Sequence, residues 1–202
     1  MTLMKKLYLL LLCSTLALWS CSDDEEDILP QQQKQIEGYL TGSHAPRLVA
    51  EKDLTEGEEK PFYSEFGDKV YRYIDEYYNP DRKNRKLIDQ NSKITITFRA
   101  YLFTGKAITE KTLPFFTNDP RLEQALYDEA GLTPGLWSFE PLAIDMAHPN
   151  VFGGLYVALL GCREQDEVEA YMTYNMAYGD DNFSVIPKES AVVYFFTVNS
   201  VE

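Results

Sequence analysis

The sequence predicts an α+β fold built on an antiparallel sheet. Two long stretches, Ile94 to Leu102 and Ala191 to Val198, alternate with the period of a strand. Helical segments are few and short, and the connections are too short for parallel crossovers. The chain has 202 residues, enough for one domain with an extension. Its 45% hydrophobic and 25% charged content is the balance of a packed globular protein.

Residues 1–20 read as a secretory signal. Lys5 and Lys6 form a basic start, and Leu7 to Leu12 open an apolar run that is short for a membrane span. Leu18-Trp19-Ser20-Cys21 resembles a bacterial lipobox, which implies lipid on Cys21 and anchoring in the outer membrane. Ser22-Asp23-Asp24-Glu25-Glu26-Asp27 follows as a self-repelling, extended tether. It resembles the acidic signal that sends lipoproteins of some Gram-negative bacteria to the cell surface; the periplasmic face is the alternative. Residues 21–34 are thus read as tether and helix start, and 35–92 as an N-terminal extension.

Pro30 to Leu40 predicts a short helix, with Pro30 in its first turn and Gly42 able to end it. Residues 41–68 read as irregular chain with one strand near Leu48 to Leu54. Val70 to Tyr78 is rich in aromatic and β-branched residues and reads as a strand, although Tyr71, Ile74 and Tyr78 also fit helical spacing. Ile94, Ile96, Phe98, Ala100 and Leu102 share one strand face, and Thr104-Gly105 turns the chain. Asp119 to Ala130 predicts a helix, and 131–150 carries loop signals. Gly153 to Cys162 predicts a short helix ending near Gly161, and Glu167 to Met172 a strand. In Ala191 to Val198, both faces are apolar: Val192, Tyr194, Phe196 and Val198 on one, Val193 and Phe195 on the other.

Charge and composition exclude several functions. The 19 basic residues against 32 acidic give a net charge of −13, the wrong sign for binding nucleic acid or an anionic bilayer surface. Two histidines, His44 and His148, both read as loop residues, and three cysteines do not make a Cys/His metal site. With Cys13 removed and Cys21 acylated, Cys162 is left as buried filler without a disulfide partner. Any pair among so many acids arises by chance, so no glycosidase pair is assigned. Neither a G-x-S-x-G nor a phosphate-binding glycine loop is present.

A family resemblance appears in the second half. Tyr156-Val157-Ala158-Leu159-Leu160-Gly161-Cys162, then Ala177-Tyr178-Gly179, Ile186-Pro187 and the strand from Ser190-Ala191-Val192-Val193-Tyr194 resemble the C-terminal half of FK506-binding proteins (FKBPs). Ile94 to Lys106 resembles that family's strand and turn. The likeness covers about 94–116 and 150–200, so 93–202 is read as an FKBP-like domain carrying an insertion at about 117–149. It implies a curved antiparallel sheet wrapped around a short helix, with a proline pocket between them.

The family's reaction is rotation about an X-Pro bond, with a barrier of about 18–20 kcal/mol from lost amide resonance. No bond breaks, so neither cofactor nor metal is needed. A dry apolar cup and one hydrogen-bond donor suffice. By the resemblance, Tyr178 matches the tyrosine whose hydroxyl bonds a ligand carbonyl. Val151 and Phe152 match the pair whose backbone N–H groups bind ligand. Phe98, Ile186, Tyr194 and Phe115 (or Phe116) match other lining positions. Leu155 stands at the pocket floor, where active members often carry Trp. Ile108-Thr109 replaces the usual Phe-Asp, and Thr109 cannot be a carboxylate. The loop from Tyr178 to Pro187 is one residue short. No catalytic residue is assigned with certainty.

The resemblance thus leaves two functions open. One is a surface-anchored module that binds a peptide or envelope partner with little or no turnover. The other is a peptidyl-prolyl isomerase helping envelope proteins to fold. The lipid assignment has its own check: palmitate should label the wild-type chain, and Cys21→Ser should abolish the labelling.

Overall fold

The computed structural model describes residues 27–67 and 69–202. The signal segment and Cys21 lie outside the described residues. The acidic run ends as a helix cap: Asp27 accepts from the Leu29 N–H at 3.4 Å and opens α1 (Ile28–Gly42). Pro30 sits in the first turn as the sequence predicts. Gln32, Ile36 and Leu40, each four apart, form the buried stripe.

Eight strands follow in one curved sheet: β1 (Val49–Ala50), β2 (Phe62–Phe66), β3 (Val70–Ile74), β4 (Lys93–Leu102), β5 (Phe116–Thr117), β6 (Leu142–Asp145), β7 (Glu167–Met172) and β8 (Val192–Val201). Their order is β1-β2-β3-β7-β8-β4-β5, with β6 also paired to β4. Pairing is antiparallel throughout except for the two-residue parallel contact of β1 with β2. Helix α2 (Glu123–Glu129) follows a 3-10 turn at Pro120–Leu122 capped by Asp119. Helix α3 is Gly153–Leu159.

Several expectations change. The strand near Leu48 to Leu54 is only two residues long, because the chain turns into a 3-10 helix at Glu51–Asp53 and exposes those charges. β2 lies in the stretch read as irregular, and β6 in the stretch read as loop. The strand from Val70 stops at Ile74, because Asp75 accepts from the Glu76 N–H and turns the chain out, leaving Tyr77 and Tyr78 exposed.

Both faces of the sheet are covered. On one, α3 contributes Leu155, Ala158 and Leu159 to a core with Ile94, Ile96, Phe98, Val192, Tyr194, Phe196 and Val198. Gly154 lets α3 come this close: a Cβ there would lie 2.3 Å from the Met176 carbonyl oxygen. Arg72 of β3 donates to the Ala158 and Leu160 carbonyls, filling acceptors the helix end leaves open. Burial among these groups pushes the Cys162 thiol up to about 11, so it stays protonated and inert. On the opposite face, Ile36 and Leu40 of α1 pack on Tyr63, Tyr71, Tyr73, Tyr101, Phe103, Tyr171 and Val193.

The open side of β4 is closed in pieces. β6 pairs with Lys93 to Ile96, and β5 with Arg99 and Ala100. Between them, the buried Asn118 side chain acts as a stand-in for a strand. Its Oδ1 accepts from the Phe98 N–H at 2.7 Å, and its Nδ2 donates to the Ile96 and Glu140 carbonyls, each at 3.0 Å.

His44 lies in the loop after α1, as expected, but is buried. Its Nδ1 is 2.5 Å from the Pro46 carbonyl oxygen and its Nε2 3.0 Å from Glu169 Oε2. A carbonyl and a carboxylate only accept, so both ring nitrogens donate and the imidazolium is the form that fits. Burial alone would lower its pKa, but the Glu169 and Pro46 bonds outweigh burial and raise it. A raised folded pKa gives stability that is full below the unfolded value of about 6.5 and is lost as pH rises through the folded one. Denaturant midpoints of wild type should therefore fall across that window, and His44→Gln should remove this part of the slope.

Candidate functional site

The site forms where β4, β8, the start of α3 and the corner after β7 converge. Phe98 and Tyr194 face α3 from adjacent strands as diagonal neighbours, Phe98 pairing with Phe196 and Ala100 with Tyr194. Their rings stack at 5.6 Å between centroids and 27°. Phe115 is placed by its N–H bond to the Ala100 carbonyl. Phe152 is the residue that opens α3. Tyr178 sits on the turn beyond the 3-10 helix Tyr174–Met176, where Gly179 takes a φ of 82° and donates back to the Tyr174 carbonyl.

Five predicted residues thus meet ring to ring. Phe152 lies 5.2 Å from Tyr178 and 5.4 Å from Tyr194, and Phe115 lies 5.9 Å from Tyr178 and 6.5 Å from Tyr194. Leu155 is buried at the base of the same core, and Val151 packs partly buried against it. Ile186 is buried within the 178–187 loop, where it exchanges backbone bonds with Phe183. Ile108 is not brought to this group: it packs against the core on the α1 face of the sheet. The chain has left β4 by then, and no strand period fixes which side the residue takes. Thr109 is exposed and bonds to Thr112.

The polar chemistry is concentrated in one contact. The Tyr178 and Tyr194 hydroxyls are 2.6 Å apart, and either can donate. Desolvation raises both pKa values, while accepting from Tyr194 partly offsets the rise at Tyr178. Tyr194, the more deeply buried, is the harder to ionise. When it donates, Tyr178 keeps its own proton for an outside acceptor; when Tyr178 donates, it does not.

Further aromatic residues extend the cluster. Phe183 stacks on Tyr178 at 5.1 Å and is 58% exposed. On the other side, Phe116 meets the Phe98 edge at 5.0 Å, and Trp137, in the chain between α2 and β6, meets Phe116 at 5.2 Å. The Trp137 indole N–H donates to the Thr117 carbonyl at 2.7 Å. Trp137 and Phe183 are the contributors that sequence reading missed. Their only signal was a large aromatic within a polar loop, Asp180-Asp181-Asn182-Phe183 and Pro134-Gly135-Leu136-Trp137. The loop that carries Tyr178 and Phe183 is clamped near both ends by Gln32 of α1, which accepts from the Tyr174 N–H and donates to the Glu189 carbonyl. Among the described residues, no group of three or more His, Cys, Asp or Glu side chains is placed to hold a metal ion.

No known family profile and no curated protein matches this chain. Among solved structures, the N-terminal domain of FKBP42 from Arabidopsis thaliana is similar with a TM-score of 0.46 and 10% identity, over 73% of this chain and 98% of that one.

Phe98 is held by Asn118, and this can be measured. Asn118→Ala leaves the buried Phe98 N–H without its acceptor and frees two carbonyls. It should cost about 2–3 kcal/mol in urea unfolding. Asn118→Asp should cost a similar amount, because it loses the donor to Ile96 and Glu140.

Proposed function

We propose that this chain is an FKBP-like module, held at the cell surface by lipid on Cys21, that binds a peptide or envelope partner along its aromatic cup with little or no turnover. The observation that carries this reading is that the groups of the cup are engaged with one another. Its rings already touch, and the Tyr178 hydroxyl is bonded to Tyr194 at 2.6 Å. Isomerisation requires a proline ring to enter a dry cavity where the twisted amide is favoured. Rings packed on one another leave less of such a cup free. What remains open is the rim, where Phe116, Phe183 and Val185 are 42%, 58% and 68% exposed. Exposed apolar side chains on both sides of the cluster suit docking more than chemistry. Thr109, exposed and without a carboxylate, adds to the same side.

One observation favours the second reading, a prolyl isomerase. With Tyr194 as donor, the Tyr178 proton is available to a substrate carbonyl, the role the family resemblance gives it.

Prolyl isomerisation by the full-length chain on an X-Pro peptide panel separates the two. The binding reading expects rates close to the uncatalysed background and no change in Tyr178→Phe. It also expects labelled peptide to bind wild type and to lose about tenfold in affinity in Phe183→Ala. A measurable kcat/KM that falls about tenfold or more in Tyr178→Phe would establish the isomerase instead. Surface location is checked separately: added protease should digest the domain on intact cells.

A further inference from the structure

A second concave surface lies apart from the cup, against the outer strands of the sheet. It is a groove of about 580 Å³, bounded by the end of β3, the start of β2 and the turn that follows β3. That volume lies in the range of small-ligand sites. Its apolar wall is aromatic. Phe62 meets Tyr77 edge to face at 4.8 Å, and Tyr77 meets Tyr78 at 5.3 Å. Tyr77 and Tyr78 are 39% and 37% exposed, a large aromatic surface left to solvent. Pro61 and Pro80 also line it, so parts of its wall have little backbone freedom to lose.

The charged groups lining the groove have one sign. Glu59, Asp75 and Glu76 line it, and no lysine or arginine does. Lys60, next in sequence to Glu59, is paired with Glu58. Arg82 is buried and committed to Asp166 through two bonds of 2.8 and 2.7 Å. Its guanidinium nevertheless lies 4.5 Å from the Tyr77 ring centroid, so one ring of this wall already carries a cation. Electron-rich ring faces beside carboxylates attract a cation, and the net charge of −13 adds long-range attraction.

We propose that this groove binds a basic side chain, lysine or arginine, of a peptide or protein partner. The alkyl stem lies on the tyrosine rings while the charged head reaches the carboxylates of Glu59, Asp75 and Glu76. The site is independent of the aromatic cup and of any turnover there.

The test uses a fluorescent Gly-Arg repeat peptide with the full-length chain, and the same peptide with citrulline in place of arginine as control. The arginine peptide should bind, and citrulline should weaken binding by about tenfold or more, because the shape is kept and the charge removed. Affinity should fall as salt rises from about 50 mM to about 500 mM. The pair Glu59→Gln and Glu76→Gln, and separately Tyr78→Leu, should each weaken binding about fivefold or more. These are exposed positions, and an unchanged circular dichroism spectrum checks the fold. Tyr178→Phe, in the other site, should leave arginine-peptide affinity unchanged. Equal binding of the two peptides, or binding insensitive to the groove variants, overturns the proposal. So does binding of a neutral oligosaccharide at Tyr78 with none of the arginine peptide, which would give the rings to a sugar.

Discussion

The structure depends on β8 being buried on both faces. Val192, Tyr194, Phe196 and Val198 enter the core with α3, while Val193 faces the core under α1. A strand apolar on both sides cannot lie at a water-facing surface, so the sheet needs a helix against each face. The register shift between Thr95 and Ile96 of β4 accommodates an extra residue at Asn199, which lets Val201 join Val198 in the α3 core. Helix α1 is therefore part of the fold's stability and not an appendage to it. The face it covers is rich in tyrosine, and the hydroxyls of Tyr71, Tyr73 and Tyr171 reach Glu37, Asp75 and Glu169. Aromatic bodies supply apolar burial there while their polar tips stay satisfied.

That arrangement explains what could be read from the residues alone. β4, β7 and β8 each show an alternation that sequence displays directly, and α1 and α2 carry a proline near the start. β2 and β6 do not show themselves. Phe62-Tyr63-Ser64 is buried at three successive positions, so its pattern does not alternate, and Leu142–Asp145 is too short for a period to emerge. β2 exists because it turns straight back on β3 as a hairpin, and β6 because β4, far earlier in the chain, offers it a partner. The site follows the same division. Phe98 and Tyr194 lie on legible strands, and Phe115, Phe152 and Tyr178 lie at the corners those strands fix. Ile108 follows a turn with nothing to set its side, and it ends on the other face of the sheet.

The Tyr178–Tyr194 contact shows how a single oxygen changes a site's chemistry. Tyr194 fills the position with the same ring a phenylalanine would supply, so packing with Phe98 is kept. The added hydroxyl is buried and must find a partner. Tyr178 is that partner, so the two hydroxyls of the cup are bonded to each other before any ligand arrives.

The piecemeal covering of β4 has a consequence for how the molecule behaves beside its own copies. A ten-residue strand with an open side is a template for another chain's strand, the route to sheet-to-sheet association. Here β5, the Asn118 amide and β6 occupy that side in turn, none longer than four residues. At the opposite end of the sheet, β1 offers only two. Where copies meet at high local density, these truncated borders leave little continuous backbone on which neighbours could polymerise.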